Sequence, residues 1–298
     1  MRRESIFCWL LLGLLSGGAL LLGPVWAAVA AAPAGPEAAR LTADYRHLMS
    51  VLVTADWQNS GRLFIDLQQN LFNPLFGSIL VVMVGLFLCH YLCIGPKSFP
   101  HAGEEIDYYS FFCRLIHLLA ALSFTVLLLS GLVIVFGRTF GAGPAAAARF
   151  LHLPAALVFV PAALLLFLIW VVDMLPAAYD LEWLRLGGGY LSKRQQKVPA
   201  GKFNLGQKSW FWLAVLGGAA MAYSGYRLYD FAGDPLAARQ ALMLHHFLGA
   251  VFLVMFMVHL YMAVIAVKGS LKSMLTGRKA AAEVVYMHGK YAEKLGLE

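Results

Sequence analysis

Apolar residues in this chain gather into long unbroken blocks rather than the short alternating stretches of a half-buried sheet. Five blocks approach the ~20 residues a helix needs to cross a bilayer. They run from Pro74 to Ile94, Phe111 to Phe136, Phe150 to Leu175, Trp210 to Tyr229 and Leu242 to Val267. None alternates with period two, so a closed barrel is excluded and transmembrane helices are expected. Upstream, Arg2 and Arg3 precede an apolar stretch from Ile6 to Leu22, and small residues follow at Ala27, Ala30, Ala31 and Ala32. That is the grammar of a secretory signal peptide, or of a retained signal anchor of the same length. The expected fold is an all-α integral membrane protein. Residues 1–32 are the signal peptide or anchor, 33–73 a periplasmic segment, 74–94 an additional amino-terminal transmembrane helix, 110–275 a four-helix bundle and 276–298 a cytoplasmic tail.

Composition agrees: 60% of the 298 residues are hydrophobic and 13% are charged, against about a quarter charged in soluble domains. The net charge of +7 is unevenly placed. Loops 95–110, 176–209 and 268–298 carry Lys97, then Arg185, Lys193, Arg194, Lys197, Lys202 and Lys208, then Lys268, Lys272, Arg278, Lys279, Lys290 and Lys294. The opposite loops, 137–149 and 230–241, offer only Arg138, Arg149 and Arg239. Lys and Arg accumulate on the cytoplasmic side, so the excess sets orientation rather than binding nucleic acid. Trp210, Trp212, Tyr226, Tyr229 and Tyr261 fall near the expected helix ends, where an aromatic belt belongs. Gly187, Gly188 and Gly189 read as a flexible turn, since no strand precedes them and no Gly-Lys-Ser/Thr follows. His47 and His288 read as solvated.

Of the nine histidines, four stand out by where they fall in the expected spans, His117, His152, His245 and His259, whereas His90 sits at a helix end. Ionisable groups there are costly and mark function by default. With helix directions alternating, His152 and His245 lie at one depth near the outer face, and His117 and His259 at another near the inner face. Fourteen residues separate His245 from His259, about 21 Å along a helix and within roughly 40° of the same face. His246 is turned away towards another neighbour or the headgroups. Two imidazole pairs at two depths suit two bis-histidine haem b groups. Zinc fits less well, because its ligands must converge. Gly131, Gly217, Gly218 and Gly249 are small enough to let a macrocycle approach the backbone. No Cys-x-x-Cys-His occurs, so covalent haem attachment is not supported.

The run CRLIH ending at His117, RFLH ending at His152, KFNLGQKSWFW, and HLYMAVIAVKGSLKSM from His259 together resemble the cytochrome b (gamma) subunit of membrane-bound respiratory formate dehydrogenase. The likeness covers about Ser110 to Met274. It implies a four-helix di-haem cytochrome b bundle, with one haem on His152 and His245 and one on His117 and His259. It also implies a quinone (menaquinone or ubiquinone) site beside the inner haem, near His259 and the Asn204-Leu205-Gly206-Gln207 motif. An iron–sulfur (beta) subunit and a molybdenum or tungsten catalytic (alpha) subunit would be the partners, in a bacterial inner membrane.

Asn204 and Gln207 offer amides for a quinone carbonyl; alternatively they cap the turn before the following helix. Arg114 and Arg149, each one helical turn before a candidate ligand, either pair haem propionates or snorkel to the interface. Related b-type cytochromes of nickel–iron hydrogenases and thiosulfate reductases share the histidine layout. A reading of another class makes the chain a non-haem transporter or structural anchor with relay histidines.

Overall fold

The computed structural model describes residues 36–100, 103–137, 142–231 and 233–297. The targeting segment expected at 1–32 lies outside the described residues. The fold of the described residues is all-α apart from one two-stranded ribbon. Among the described residues, four helices are long and apolar enough to cross a membrane: Arg62–Cys93, Phe111–Val135, Pro144–Trp170 and Pro235–Ala266.

Expectation and structure part company at the span from Trp210 to Tyr229. The chain there is helical from Leu205 to Tyr229, broken by a wide turn at Leu213–Gly217, but it is not among the four. Ser209, Ser224, Gly217, Gly218, Gly225 and three tyrosines dilute its apolar character. The helix of the last span also starts earlier than its apolar run. Asp234 caps it, its Oδ1 accepting from Leu236 N at 3.0 Å and Ala237 N at 3.2 Å, and Pro235 occupies the first turn. Such a cap contributes about 1 kcal/mol.

We label the helices α1 (Pro36–Thr54), α2 (Arg62–Leu67), α3 (Asn73–Cys93), α4 (Phe111–Val135), α5 (Ala142–Trp170), α6 (Tyr179–Arg185), α7 (Leu205–Trp212), α8 (Gly218–Tyr229), α9 (Pro235–Tyr261), α10 (Ser270–Thr276), α11 (Ala281–Met287) and α12 (Gly289–Leu295). Strands β1 (Glu105–Asp107) and β2 (Arg278–Ala280) pair antiparallel, Ile106 opposite Lys279.

The chain divides into two compact units, Met1–Ser50 with Ser123–Ala156, and Val51–Leu122 with Leu157–Glu298. In the first, the alanine run of α5 buries Ala145, Ala147 and Ala148. A Cβ on Gly137 would sit 3.4 Å from that of Ala145, so small side chains allow the close approach.

In the second unit, α9 packs against α8 and α3. Arg239 of α9 is buried and reaches the chain just before α2. Its Nε and Nη2 donate to Leu52 O at 3.0 and 2.9 Å, Nη2 also to Ala55 O, and Nη1 to Ser60 Oγ at 2.6 Å. From Pro36 onward the polar segment is thus largely helical, and Arg239 clamps it between Leu52 and Ser60.

The three loops assigned by charge to one side come together in this unit. Lys97 N donates to Ala266 O at 2.8 Å and Lys268 N to Lys97 O at 3.0 Å. Val198 N donates to Tyr286 O at 2.8 Å, and Gly289 N and Lys290 N to Val198 O and Ala200 O. Apolar clusters close it: Tyr108 with Val284, Val285 and Ala292; Phe99 with Val267 and Met287; Trp183 with Val198 and Ala200. The tail is therefore part of a folded cap. The three glycines are not a flexible turn either. All have positive φ, and a Cβ on Gly188 would lie 2.4 Å from Trp183 Cζ2.

Candidate functional site

The four candidate histidines sit on three helices, His117 on α4, His152 on α5 and both His245 and His259 on α9, and each has a defined environment. His117 on α4 and His259 on α9 come together within the second unit, their ring centres 6.3 Å apart and tilted by 48°. One metal ion held between two imidazole nitrogens at about 2 Å each separates ring centres by about 6 Å, so this pair matches the span of two axial ligands. Aromatic rings brace it. Trp210 stacks on His259 at 5.4 Å and 20°, and Trp170 lies 6.2 Å from His117. Trp210 is thus beside the site and not in an aromatic belt. Tyr261 is likewise turned inward, its ring stacked on Phe87 at 4.4 Å and its hydroxyl 2.6 Å from His90 Nδ1. Trp212 donates from Nε1 to Met174 O at 2.9 Å. Tyr226 and Tyr229 remain exposed as the belt requires.

His152 and His245 each meet a serine within their own unit. In the first, Ser130 Oγ on α4 is 2.7 Å from His152 Nδ1 and donates to Val126 O at 2.6 Å. In the second, Ser224 Oγ on α8 is 2.9 Å from His245 Nδ1 and donates to Met221 O at 3.0 Å. A backbone carbonyl only accepts, so each hydroxyl hydrogen is committed to it and Oγ receives Nδ1–H. The imidazole lone pair then lies on Nε2, the atom a metal would take. A glycine follows each serine: a Cβ on Gly131 would meet His152 Cε1 at 3.6 Å, and one on Gly225 His245 Cε1 at 3.5 Å. Of the glycines singled out from sequence, Gly131 alone flanks a candidate ligand in this way. Gly217 packs on Phe252, Gly218 on Phe159 and Gly249 on Phe76. His246 faces Phe72 and Phe76 of the additional amino-terminal helix, ring centres 5.4 and 6.2 Å away.

Asn204 and Gln207 form a reciprocal capping box at the start of α7. Gln207 N donates to Asn204 Oδ1 at 3.0 Å, and Asn204 N to Gln207 Oε1 at 2.9 Å. Asn204 Nδ2 donates to Tyr190 Oη at 3.2 Å. Gly206 leaves room beside the Asn204 carbonyl and the Trp183 ring, where a Cβ would sit at 3.3 and 3.5 Å. Next to the box, Lys208 Nζ donates to Asp180 Oδ2 at 2.7 Å in a buried ion pair, and Ala177 N donates to the same oxygen. What remains of the motif for a ligand is the NH2 of Gln207.

Both arginines are found in company yet incomplete. Arg114 donates from Nη1 to Leu275 O and lies over Phe111, and Arg149 lies 4.4 Å over Tyr45. The Nε of each is buried without a hydrogen-bond partner, which an anionic group would satisfy. Among the described residues, no three His, Cys, Asp or Glu side chains cluster so as to hold a metal ion. His288, expected in solvent, is buried in the cap, its Nδ1 donating to Gly201 O at 2.9 Å.

Ser130, Ser224 and Gly225 were not legible as site residues. The only trace in sequence is a Ser-Gly pair repeated in LLSGL and AYSGY.

Residues 108–277 match the prokaryotic cytochrome b561 family. The cytochrome b556(Fdn) subunit of the nitrate-inducible formate dehydrogenase of Escherichia coli strain K12 is 28% identical over 179 residues, covering 56% of this chain and 81% of the relative. The same subunit from Shigella flexneri gives the same figures.

Proposed function

This chain belongs to the prokaryotic cytochrome b561 family, a multi-pass membrane protein that binds haem b, and from that premise we propose that it is the membrane cytochrome b subunit of a formate dehydrogenase complex. Its role is to pass electrons from an iron–sulfur subunit across the membrane to quinone, formate being oxidised on a separate catalytic subunit. The membrane is the bacterial inner membrane, with the folded cap on the cytoplasmic side. The formate assignment rests on the E. coli relative; co-purification of the partner subunits tests it against a hydrogenase or thiosulfate reductase donor.

The observation that carries the haem assignment is the His117–His259 pair, 6.3 Å apart between two tryptophans and inside the matched segment. We assign one haem b to His117 and His259 and a second to His152 and His245. When bound, each supplies reversible one-electron chemistry with no open coordination position. The protein's share is to fix and insulate. Trp210 and Trp170 hold the inner imidazoles and exclude water around them. Ser130 and Ser224 fix the tautomer of the outer ones. The unpartnered Nε of Arg114 and of Arg149 suit carboxylates of the propionate kind. Quinone is assigned to the neighbourhood of His259 and Asn204–Gln207, where Gln207 can donate to a carbonyl oxygen.

His259→Ala removes one of the proposed inner ligands. Haem content by pyridine haemochrome is expected to fall from two per chain to one, with quinone reduction lost and the second haem's spectrum kept. Two haems with unaltered turnover would disprove the assignment.

A further inference from the structure

Two helices that share no other motif present the same device to a candidate ligand. In LLSGL and AYSGY, a buried serine bonds Nδ1 of a histidine some twenty residues downstream, and the next residue is a glycine whose missing Cβ accommodates the ring's Cε1. Ser130 is 5% exposed and Ser224 is fully buried. Each hydroxyl spends its hydrogen on a carbonyl of its own helix, at Val126 and Met221, so its oxygen is held as an acceptor aimed at the ring. The inner histidines are treated differently: the contacts around His117 and His259 are ring contacts with Trp170, Trp210 and each other.

We propose that Ser130 and Ser224 are positioning residues, Ser130 for His152 and Ser224 for His245, each fixing the orientation of the imidazole it bonds and holding the reduction potential of the haem which that imidazole would hold below the value the ligand would otherwise give. This rests on the assignment of His152 and His245 as haem ligands proposed above. The sign follows from ligand basicity. An acceptor on Nδ1–H shifts electron density onto Nε2, a more basic ligand favours the ferric state, and the potential falls. Glycine at 131 and 225 keeps the ring close enough to its serine for that bond to persist. Among the described residues no serine bonds His117 or His259 in this way, so a haem held there is left unshifted by the same changes.

The test uses the full chain purified in detergent with its haems, comparing Ser130→Ala, Ser224→Ala and the conservative Ser130→Thr and Ser224→Thr in an optically monitored redox titration, with electron paramagnetic resonance of the ferric forms. Each alanine variant is expected to raise the midpoint of the haem that its histidine holds and to alter that haem's low-spin signal. Retention of that haem should drop about tenfold. The threonine variants, which keep the hydroxyl, should restore wild-type values. If an alanine variant fails to accumulate, the threonine variant of the same serine decides: a wild-type midpoint and signal uphold the role, and a shifted midpoint refutes it. A shift of the His117/His259 haem, or no shift, would overturn the proposal. Wild-type protein with two haems but serine-insensitive potentials would sink this inference while leaving the haem assignment intact. Wild-type protein with fewer than two haems would sink both.

Discussion

Gln207 carries two duties on one side chain, and its two ends can be separated. Its Oε1 accepts from Asn204 N in the capping box, while its NH2 is the group assigned to quinone. Gln207→Glu keeps the acceptor, places a negative charge at a helix amino terminus where it is favoured, and removes the donor. Thermal stability should stay within about 1 kcal/mol of wild type, while the affinity for a quinone analogue, followed by the inner haem spectrum, falls about tenfold. Unchanged affinity would reduce the motif to a helix cap. The contrast shows what single residues disclose in sequence. Histidines in an apolar span stand out because a titratable ring in lipid is costly. Ser130 and Ser224 do not, because serine is cheap in a membrane helix and commonly bonds its own backbone; only the structure shows the second partner. Trp210 misled for a related reason: an aromatic near a helix end satisfies the belt pattern whether it faces headgroups or His259.

At the level of elements, long apolar runs gave the spans but not their ends, since caps lie in polar sequence. Asp234–Pro235 starts α9 ahead of its first continuous apolar stretch, and α5 begins at Ala142, just before the alanine run, rather than at Phe150. The Gly187–Gly189 turn was read as loose because glycine is permissive, yet here permissiveness serves a tight fit. Gly188 has φ 62° and backs directly onto the Trp183 indole. Gly188→Ala would incur both the left-handed backbone cost and a steric clash, together roughly 2–4 kcal/mol. Gly233, with φ 83° and open space around its Cα, is the control: alanine there should cost only about 1–2 kcal/mol. Limited proteolysis of the 186–200 loop and thermal melting check the difference. Equal effects would mean the Trp183 contact contributes nothing.

For the whole molecule, charge counting placed three loops on one side, and the structure packs those loops into one cap, an outcome independent of charge. What counting could not reveal is that the cap has a buried polar centre. Lys279, counted among the loop charges, and His288, read from sequence as solvated, are 5% and 2% exposed. Lys279 Nζ donates to Glu283 Oε1 at 2.7 Å and to His288 Nε2 at 3.2 Å, while His288 Nδ1 donates to Gly201 O, with the Tyr108 ring alongside. Burial, first, and then the adjacent ammonium hold His288 well below the usual histidine value of 6.5, so it is neutral in the folded cap. Below about pH 6.5 the unfolded segment binds a proton that the folded one refuses, and stability must therefore fall as pH falls, by up to about 1.4 kcal/mol per pH unit, with no dependence from this residue above that range. Hydrogen exchange of the α12 amides, corrected for intrinsic rates, should show the cap opening more readily at pH 5.5 than at pH 7.5. His288→Gln retains an amide donor for Gly201 and an acceptor for Lys279 but cannot titrate, and its opening free energy should be flat across the same interval. If both proteins lose protection alike, the proton is taken up elsewhere in the cap, and the tail is not tied to the basic loop through a neutral imidazole.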